Sequence, residues 1–192
     1  MGFPTVLSSL FSLLIALLST GCTIQHKVLI DPSLPIHDSK IGNNMAISFY
    51  VVDARKSNVI TKWEKDLRKF SVYPQNDIKD IFSLKIHQIL NKLGFIPKHH
   101  KYTNNNSLKI KILNIKSEYI NKVHKMDVNV QAKLRATCHN NRQKYSNIYF
   151  SKKNRIAITP TTFPNENLIN ANLSELLRKV FTDTQLLTCL SS

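Results

Sequence analysis

The side chains that could perform chemistry are histidines, cysteines and carboxylates, and their spacing matches no established catalytic or metal-binding motif. The chain has 7 His, 3 Cys and 12 acidic residues over 192 positions. The sequence contains no HExxH, CxxC or Gly-x-Ser-x-Gly pattern and no Gly-rich phosphate loop. His99 and His100 are adjacent in an expected loop, so they do not converge on one metal from a regular element. We therefore expect no catalytic residue, no metal site, no non-covalent cofactor and no enzymatic activity.

Cys22 is the residue to which the sequence assigns a definite chemistry. Residues 6–18 are mostly apolar and would form about 20 Å of helix, short of a bilayer core of about 30 Å, as in a signal peptide. Ser19-Thr20-Gly21-Cys22 follows and is similar to a bacterial lipobox, in which the Cys receives diacylglycerol and becomes the new N-terminus. The alternatives are an ordinary signal peptide or a buried N-terminal helix, with Cys22 incidental, since Ser19 stands where lipoboxes usually carry Leu.

A lipid on Cys22 would determine the location of the protein. A bacterial lipoprotein carries three acyl chains, and two or more give a stable membrane anchor. Thr23 follows the cysteine, whereas an Asp there would favour retention in the inner membrane. The motif therefore implies an outer-membrane lipoprotein whose domain faces the periplasm, with residues 1–21 removed as the signal peptide.

The elements that must position any site begin after a Pro- and Asn-containing stretch. Residues 22–45 are expected to be the lipidated cysteine and a tether, and residues 46–192 a single α+β domain. Alternating or β-branched runs predict strands over 46–52, 108–112, 126–136 and 143–150. A hairpin turn at 139–142 is expected because Asn tolerates positive φ. Residues 56–75 have no clear assignment, although Trp63, Leu67 and Phe70 have near-helical spacing.

Two amphipathic helices complete the predicted domain. The first is capped by Asn76 or Asp77 and ends at Gly94, and the second runs from about Pro164 to about Leu187. The expected fold is a two-layer α+β sandwich in which a small, mainly antiparallel, four-stranded sheet carries both helices on one face.

The charge of the chain predicts a candidate anion-binding surface. Lys and Arg number 27 against 12 acidic residues, for a formal net charge of +15. If the apolar residues of the alternating strands face the helices, Lys109, Lys111, Lys133 and Arg135 lie together on the opposite face. Such a face could bind phosphate groups or another anion. The alternative is an ordinary solvated face whose lysines reflect codon bias.

Several short stretches together resemble the YajG family of Gram-negative lipoproteins. They are the Ser-Thr-Gly-Cys ending at Cys22, Asp31-Pro32-Ser33-Leu34, the strand end Val51-Val52-Asp53-Ala54-Arg55, the helix end Gly94-Phe95, and Leu108-Lys109-Ile110 with the long alternating strand after it. The resemblance covers nearly the whole chain and implies no active site. The family's Asp-x-Arg element corresponds to Asp53 and Arg55, which are expected to form a structural charge pair, although the same positions would suit a binding role.

Cys138 and Cys189 are expected to form a disulfide. With Cys22 lipidated, they remain as a pair in an oxidising periplasm, and the predicted order of strands and helix brings them towards the same end of the domain. The alternative is two unpaired thiols.

The expected function is that of a non-enzymatic lipoprotein, held at the membrane by its anchor, that binds an envelope protein or an anionic lipid. Nucleic acid is not an expected partner. The alternative is a periplasmic enzyme or a small-ligand or anion carrier whose site is assembled only in three dimensions.

Overall fold

The described chain folds into eight strands, arranged in two mixed sheets, and three helices. The computed structural model describes residues 23–34, 36–65, 68–99, 106–122, 125–157 and 166–192. The strands are β1 (Thr23–Val28), β2 (Ala46–Asp53), β3 (Thr61–Lys65), β4 (Arg68–Pro74), β5 (Ile96–His99), β6 (Ser107–Lys122), β7 (Lys125–His139) and β8 (Lys144–Ala157). The helices are α1 (Ile78–Lys92), α2 (Glu166–Phe181) and α3 (Thr184–Ser191).

The larger sheet has five strands in the order β5-β2-β6-β7-β8. The first three run parallel, and β7 and β8 follow β6 in antiparallel hairpins. A β-bulge interrupts β6 between Ile112 and Asn114. Because a bulge inserts one residue, Lys111 and Asn114 both point to the same side of the sheet.

The smaller sheet has the order β1-β4-β3, with β1 parallel and β3 antiparallel to β4. Ile60 and Val72, from this part of the chain, are 1% and 0% exposed and belong to the same apolar core as the large sheet and the helices. Both sheets therefore share one core.

The predicted start and end of helix α1 are both confirmed. The Asp77 side chain accepts hydrogen bonds from the backbone N–H groups of Lys79 and Asp80, the usual way an N-cap satisfies the first turn. The apolar stripe, with Phe82 and Ile86 fully buried, faces the core. Gly94 has φ +81°, the left-handed conformation that ends the helix.

The second predicted helix is two helices in the structure. Asp183 interrupts it, because its side chain caps α3 by accepting from the N–H groups of Gln185 and Leu186. Among the described residues, no helix is long and apolar enough to cross a bilayer.

The predicted fold class is wrong in its sheet. The structure has eight strands in two mixed sheets among its described residues, not one small antiparallel sheet of four. Trp63 and Phe70 form a cross-strand pair in the β3–β4 hairpin, with their rings stacked 4.7 Å apart. Their separation of seven residues fits two helical turns and a hairpin equally well, so spacing alone could not distinguish them. Leu67 lies outside the described residues.

The segment expected to be a tether also differs from its prediction. It contains β1, and Val28 and Ile30 are 0% and 2% exposed. The backbone of Leu29 and Asp31 exchanges hydrogen bonds with the Asn170 side chain on α2. These contacts attach residues 23–31 to the domain.

Candidate functional site

One side of the five-stranded sheet faces the helices, and the other carries exposed and half-buried side chains. We call this second side the open sheet face. Strand pairing places on it Tyr50, Val52, Lys98, Lys109, Lys111, Asn114, Lys116, Glu118, Ile120, Asp127, Lys133, Arg135, Lys144, Ile148, Phe150, Lys152 and Ile156. Among these described residues the acidic ones are Glu118 and Asp127, so the face is strongly cationic.

The structure brings the four sequence-predicted cations together on this face. Lys111 pairs directly with Arg135 across β6 and β7, and Lys133 pairs with Asn114 just beyond the bulge. Lys109 lies one pair further along, with its ammonium 5.1 Å from the centre of the Tyr50 ring. Like charges directly opposite each other repel, and an anion bound between them would relieve that repulsion.

The open sheet face also carries large apolar side chains that the sequence analysis did not assign to it. Ile148 and Phe150 are 42% and 48% exposed and pair with Arg135 and Lys133. Between them, Tyr149 points inward and is buried. The run Ile148-Tyr149-Phe150 is apolar at every position, so only the strand register decides which side chains reach the surface.

Strand pairing also relates this face to the N-terminus of the described chain. Thr23 pairs with Lys69 beside the end of the β3–β4 hairpin. The ring of Trp63 in that hairpin lies 5.6 Å from the ring of Tyr119. The first residue after Cys22 is therefore at the same end of the molecule as the last residues of β6.

At that end, one row of the large sheet carries an exposed isoleucine on each side of an aspartate. Ile120, Asp127 and Ile156 are paired across β6, β7 and β8. Ile120 and Ile156 are 45% and 58% exposed. The open sheet face thus presents two exposed isoleucines towards the end of the molecule where Thr23 lies.

Asp53 and Arg55 form the charge pair expected from the family resemblance. Arg55 Nη2 lies 2.7 Å from Asp53 Oδ2, and Arg55 Nε donates to both carboxylate oxygens. Burial raises the pKa of the Asp53 carboxyl, but the hydrogen bonds and positive charge of Arg55 outweigh this and hold that pKa below its ordinary value. The carboxylate is therefore ionised, and it fixes the guanidinium in place.

A disulfide joins Cys138 to Cys189, with the two Cα atoms 6.2 Å apart. Both residues are 0% exposed. Asn140 Nδ2 donates to the carbonyl of Cys189 at 2.7 Å, while its Oδ1 accepts from the N–H groups of Arg142 and Gln143. The predicted turn is present at Asn140, but the mechanism differs, because the positive-φ asparagines of the described residues are Asn43, Asn44 and Asn106.

Asp183 connects α3 to the inner side of β8. Its Oδ2 accepts from the hydroxyls of Tyr149 at 2.6 Å and Tyr145 at 2.9 Å. Burial raises the pKa of the Asp183 carboxyl, and these hydrogen bonds outweigh that effect and lower it. Burial, followed by the hydrogen bond to Asp183, raises the pKa of Tyr149. These residues hold the fold together and are not placed on the open sheet face.

The remaining candidate residues give no site in the part of the chain that the structure describes. No group of three or more His, Cys, Asp or Glu side chains there is arranged to hold a metal ion. Cys22 and His100 lie outside the described residues.

The fold is a domain of mixed α and β structure with a cationic sheet face, and the comparison with known families gives its class. The model of a family described as uncharacterized lipoproteins matches residues 32–191. The chain therefore belongs to this lipoprotein family, which is the YajG family, and the resemblance seen in the sequence is confirmed.

Other comparisons are more distant. No curated protein sequence matches the chain. Its fold is similar to a crystal structure of an uncharacterized protein, with 6% identity, a TM-score of 0.41, and coverage of 82% of this chain and 94% of that one. A neuraminyllactose-binding hemagglutinin homolog from Helicobacter pylori has 9% identity, a TM-score of 0.42 and coverage of 85% and 97%. Lipoprotein GNA1162 from Neisseria meningitidis has 10% identity, a TM-score of 0.36 and coverage of 72% and 99%. Similarity at this level supports no inference about function.

Proposed function

We propose that the protein is a non-enzymatic lipoprotein of the outer membrane whose periplasmic domain binds an anionic envelope partner through the open sheet face. The partner that fits best is the headgroup layer of anionic lipid. The observation that carries the proposal is the combination of paired cations with exposed apolar side chains on that face.

The location rests on Cys22 and on membership of a lipoprotein family. The lipobox-like sequence ends at Cys22, and Thr23 rather than Asp follows it, which favours transfer to the outer membrane. Since Thr23 is already the first residue of β1, a lipid on Cys22 would hold the domain directly at the membrane surface.

The choice of an anionic lipid surface rests on charge and on position. Lys133 and Arg135 are exposed beside Phe150 and Ile148, so cations that attract headgroup phosphates lie next to side chains that can enter the interface. The exposed Ile120 and Ile156 lie at the end of the domain where β1 begins. An anchored domain could therefore turn this face to its own membrane.

Vesicle co-sedimentation of a chain that begins at Thr23 tests the proposal, because that chain keeps every described residue and lacks the lipid. Binding to vesicles of phosphatidylglycerol and phosphatidylcholine should exceed binding to phosphatidylcholine alone. The double variant Lys133→Glu/Arg135→Glu should bind at least about thirtyfold more weakly, because each cation near such a surface contributes about 1 kcal/mol. Raising salt from about 0.1 M to about 1 M shortens the Debye length from about 10 Å to about 3 Å and should also weaken binding.

The matched control is Lys40→Glu/Lys79→Glu, which changes the net charge equally at exposed positions away from the open sheet face. It should retain most of the binding. An equal loss in both double variants would mean that only net charge matters, and the assignment to this face would fail. A photo-crosslinker at Phe150 that captures one protein in cells, rather than lipid, would replace the lipid surface with a protein partner.

A further inference from the structure

A cleft of about 920 Å³ lies between the β2–β3 connection and the second half of β6. Two backbone hydrogen bonds attach the connection to β6, from Ala54 N–H to the Ile112 carbonyl at 2.9 Å and from Ser117 N–H to the Ile60 carbonyl at 2.8 Å. Because of the bulge, the β7 partners of Ile112 and Ser117 are Leu134 and Val130, four positions apart, so the two attachments lie roughly 13 Å apart along the sheet. The connection therefore arches along β6 and leaves a space of the size that small-molecule ligands occupy.

Three buried polar side chains that line this cleft have an atom without a hydrogen-bond partner among the described residues. They are Arg55 through Nη1, Thr61 through Oγ1 and Ser117 through Oγ. The side chain of Arg55 is 4% exposed, and Thr61 and Ser117 are 4% and 2% exposed as whole residues. A buried polar group without a partner is costly, so three in one cleft indicate that something else supplies the partners.

The contact between Arg55 and Asp53 explains which nitrogen of Arg55 has no hydrogen-bond partner. The two carboxylate oxygens of Asp53 accept hydrogen bonds from Arg55 Nε and Nη2. This pairing orients the guanidinium and leaves Nη1 as the donor still available. A charged donor held rigidly by an ionised carboxylate is well suited to bind a second oxyanion.

The other lining residues give the cleft a cationic and partly apolar character. The cationic side chains that line the cleft are Arg55, Lys56, Lys62 and Lys116. Among the described lining residues the acidic one is Glu118, which pairs with Lys116. Apolar lining comes from Val59, Ile60, Leu113, Ile115 and Ile120. The lining therefore offers hydrogen bonds and positive charge for one part of a ligand and apolar contact for another.

We propose that this cleft binds a small amphiphilic anion, with an oxyanion head bound by Arg55, Thr61 and Ser117 and an apolar tail against the β6 residues. The cleft shares Asn114, Lys116, Glu118 and Ile120 with the open sheet face, but the residues proposed to bind the oxyanion head are not on that face. Either proposal could therefore fail while the other stands.

Calorimetric titration of the mature protein, held in phosphatidylcholine nanodiscs, tests the cleft with four probes. Hexyl phosphate and hexanoate carry both a head and a tail, inorganic phosphate is a head alone, and 1-hexanol is a tail with a neutral head. At least one of the two amphiphilic anions should bind, and more tightly than inorganic phosphate or 1-hexanol by tenfold or more. Stronger binding of hexyl phosphate assigns a phosphoryl head, and stronger binding of hexanoate assigns a carboxyl head.

The decisive variant is Thr61→Val/Ser117→Ala, which removes the two unpartnered hydroxyls with little change of shape. It should bind the preferred anion about tenfold more weakly or worse, while its melting temperature without ligand stays equal or rises, because buried unpartnered groups no longer have to be desolvated. Arg55→Lys keeps the charge beside Asp53 without a planar fork, and it should show a similar loss of affinity.

The matched control is Thr137→Val/Ser146→Ala, the same two changes at a hydroxyl pair outside the cleft. It should bind the anion as the natural chain does. The proposal is overturned if neither anion binds, if 1-hexanol binds as tightly as the anions, or if both cleft variants retain the natural affinity. In each of those cases the three buried groups do not form a binding site for such an anion.

Discussion

The Cys138–Cys189 disulfide is expected to carry a large share of the stability of the domain. The two residues are 51 positions apart. In the chain-entropy account, a cross-link that closes a loop of this length destabilises the unfolded chain by about 4 kcal/mol. The double variant Cys138→Ala/Cys189→Ala should therefore lose about 3–5 kcal/mol of unfolding free energy, against the roughly 5–15 kcal/mol of a typical domain.

The loss should be greatest in α3. This helix has eight residues, too few to be stable alone, so it depends on the disulfide, on the Asn140 hydrogen bond to Cys189 and on its cap at Asp183. Without the cross-link, amides around the buried Leu186 and Leu190 should exchange with solvent sooner than those of α1.

Urea unfolding of the purified protein, followed by circular dichroism with and without a thiol reductant, measures the effect. Reductant should lower the midpoint of the natural chain to that of the double variant and leave the double variant unchanged. Equal midpoints and equal thiol labelling of the natural chain with and without reductant would show that the bond does not form. A loss below about 1 kcal/mol in the double variant would refute the entropic reasoning.

Three further changes have defined outcomes. Asp183→Ala should cost about 2–4 kcal/mol in urea unfolding, because it removes a helix cap and the charged acceptor of Tyr149. The pKa of Asp183 is lower in the folded state than in the unfolded chain, where it is near 3.9. The stability that the Asp183 carboxylate contributes is therefore present above the unfolded pKa and is lost as pH falls through the folded pKa. Asp183→Asn should therefore make the unfolding free energy depend less steeply on pH in acid. Gly42→Ala should reduce the melting temperature or the folded yield, because the new Cβ would lie 2.5 Å from the Phe95 ring and backbone. Cys22→Ser should abolish fatty-acid labelling in cells and leave uncleaved precursor, and normal processing of that variant would contradict the lipobox interpretation.

The long periodic elements could be predicted from the sequence, since each carries enough residues for its period to be distinctive. Apolar residues recur about every 3.6 positions along helix α1 and at every second position along strand β7. Asp77 and Gly94 are residue types that commonly begin and end a helix. The same alternation was sufficient to place Lys133 and Arg135 on one face of the sheet. Local pattern and tertiary packing agree at these positions.

Short strands could not be predicted, because their partners are distant in the sequence. Strand β5 has four residues and exists through its pairing with β2. Strand β1 depends on β4 in the same way, and nothing within residues 23–28 identifies that partner. Propensity over so few residues is weak, and tertiary contacts decide the outcome.

The cleft was beyond sequence reasoning for a similar reason. Thr61 and Ser117 are ordinary hydroxyl residues on separate strands, and only the hydrogen bond from Ser117 to the neighbouring Ile60 brings them together. The sequence could identify Arg55 as part of a charge pair. Only the geometry of its contact with Asp53 shows that Arg55 Nη1 has no hydrogen-bond partner among the described residues.

The position of β1 changes what the proposed lipid anchor on Cys22 would do. A free tether over residues 23–45 could extend by up to about 80 Å and let the domain search the periplasm. Pairing of Thr23 with Lys69 removes that reach, because the chain enters the domain directly after Cys22. A lipid on Cys22 would then hold the domain close to the membrane, and the high effective concentration would make even weak contacts from the open sheet face significant there. The proposed functions of the anchor and the open sheet face therefore depend on the same strand, which the sequence alone presents as a linker.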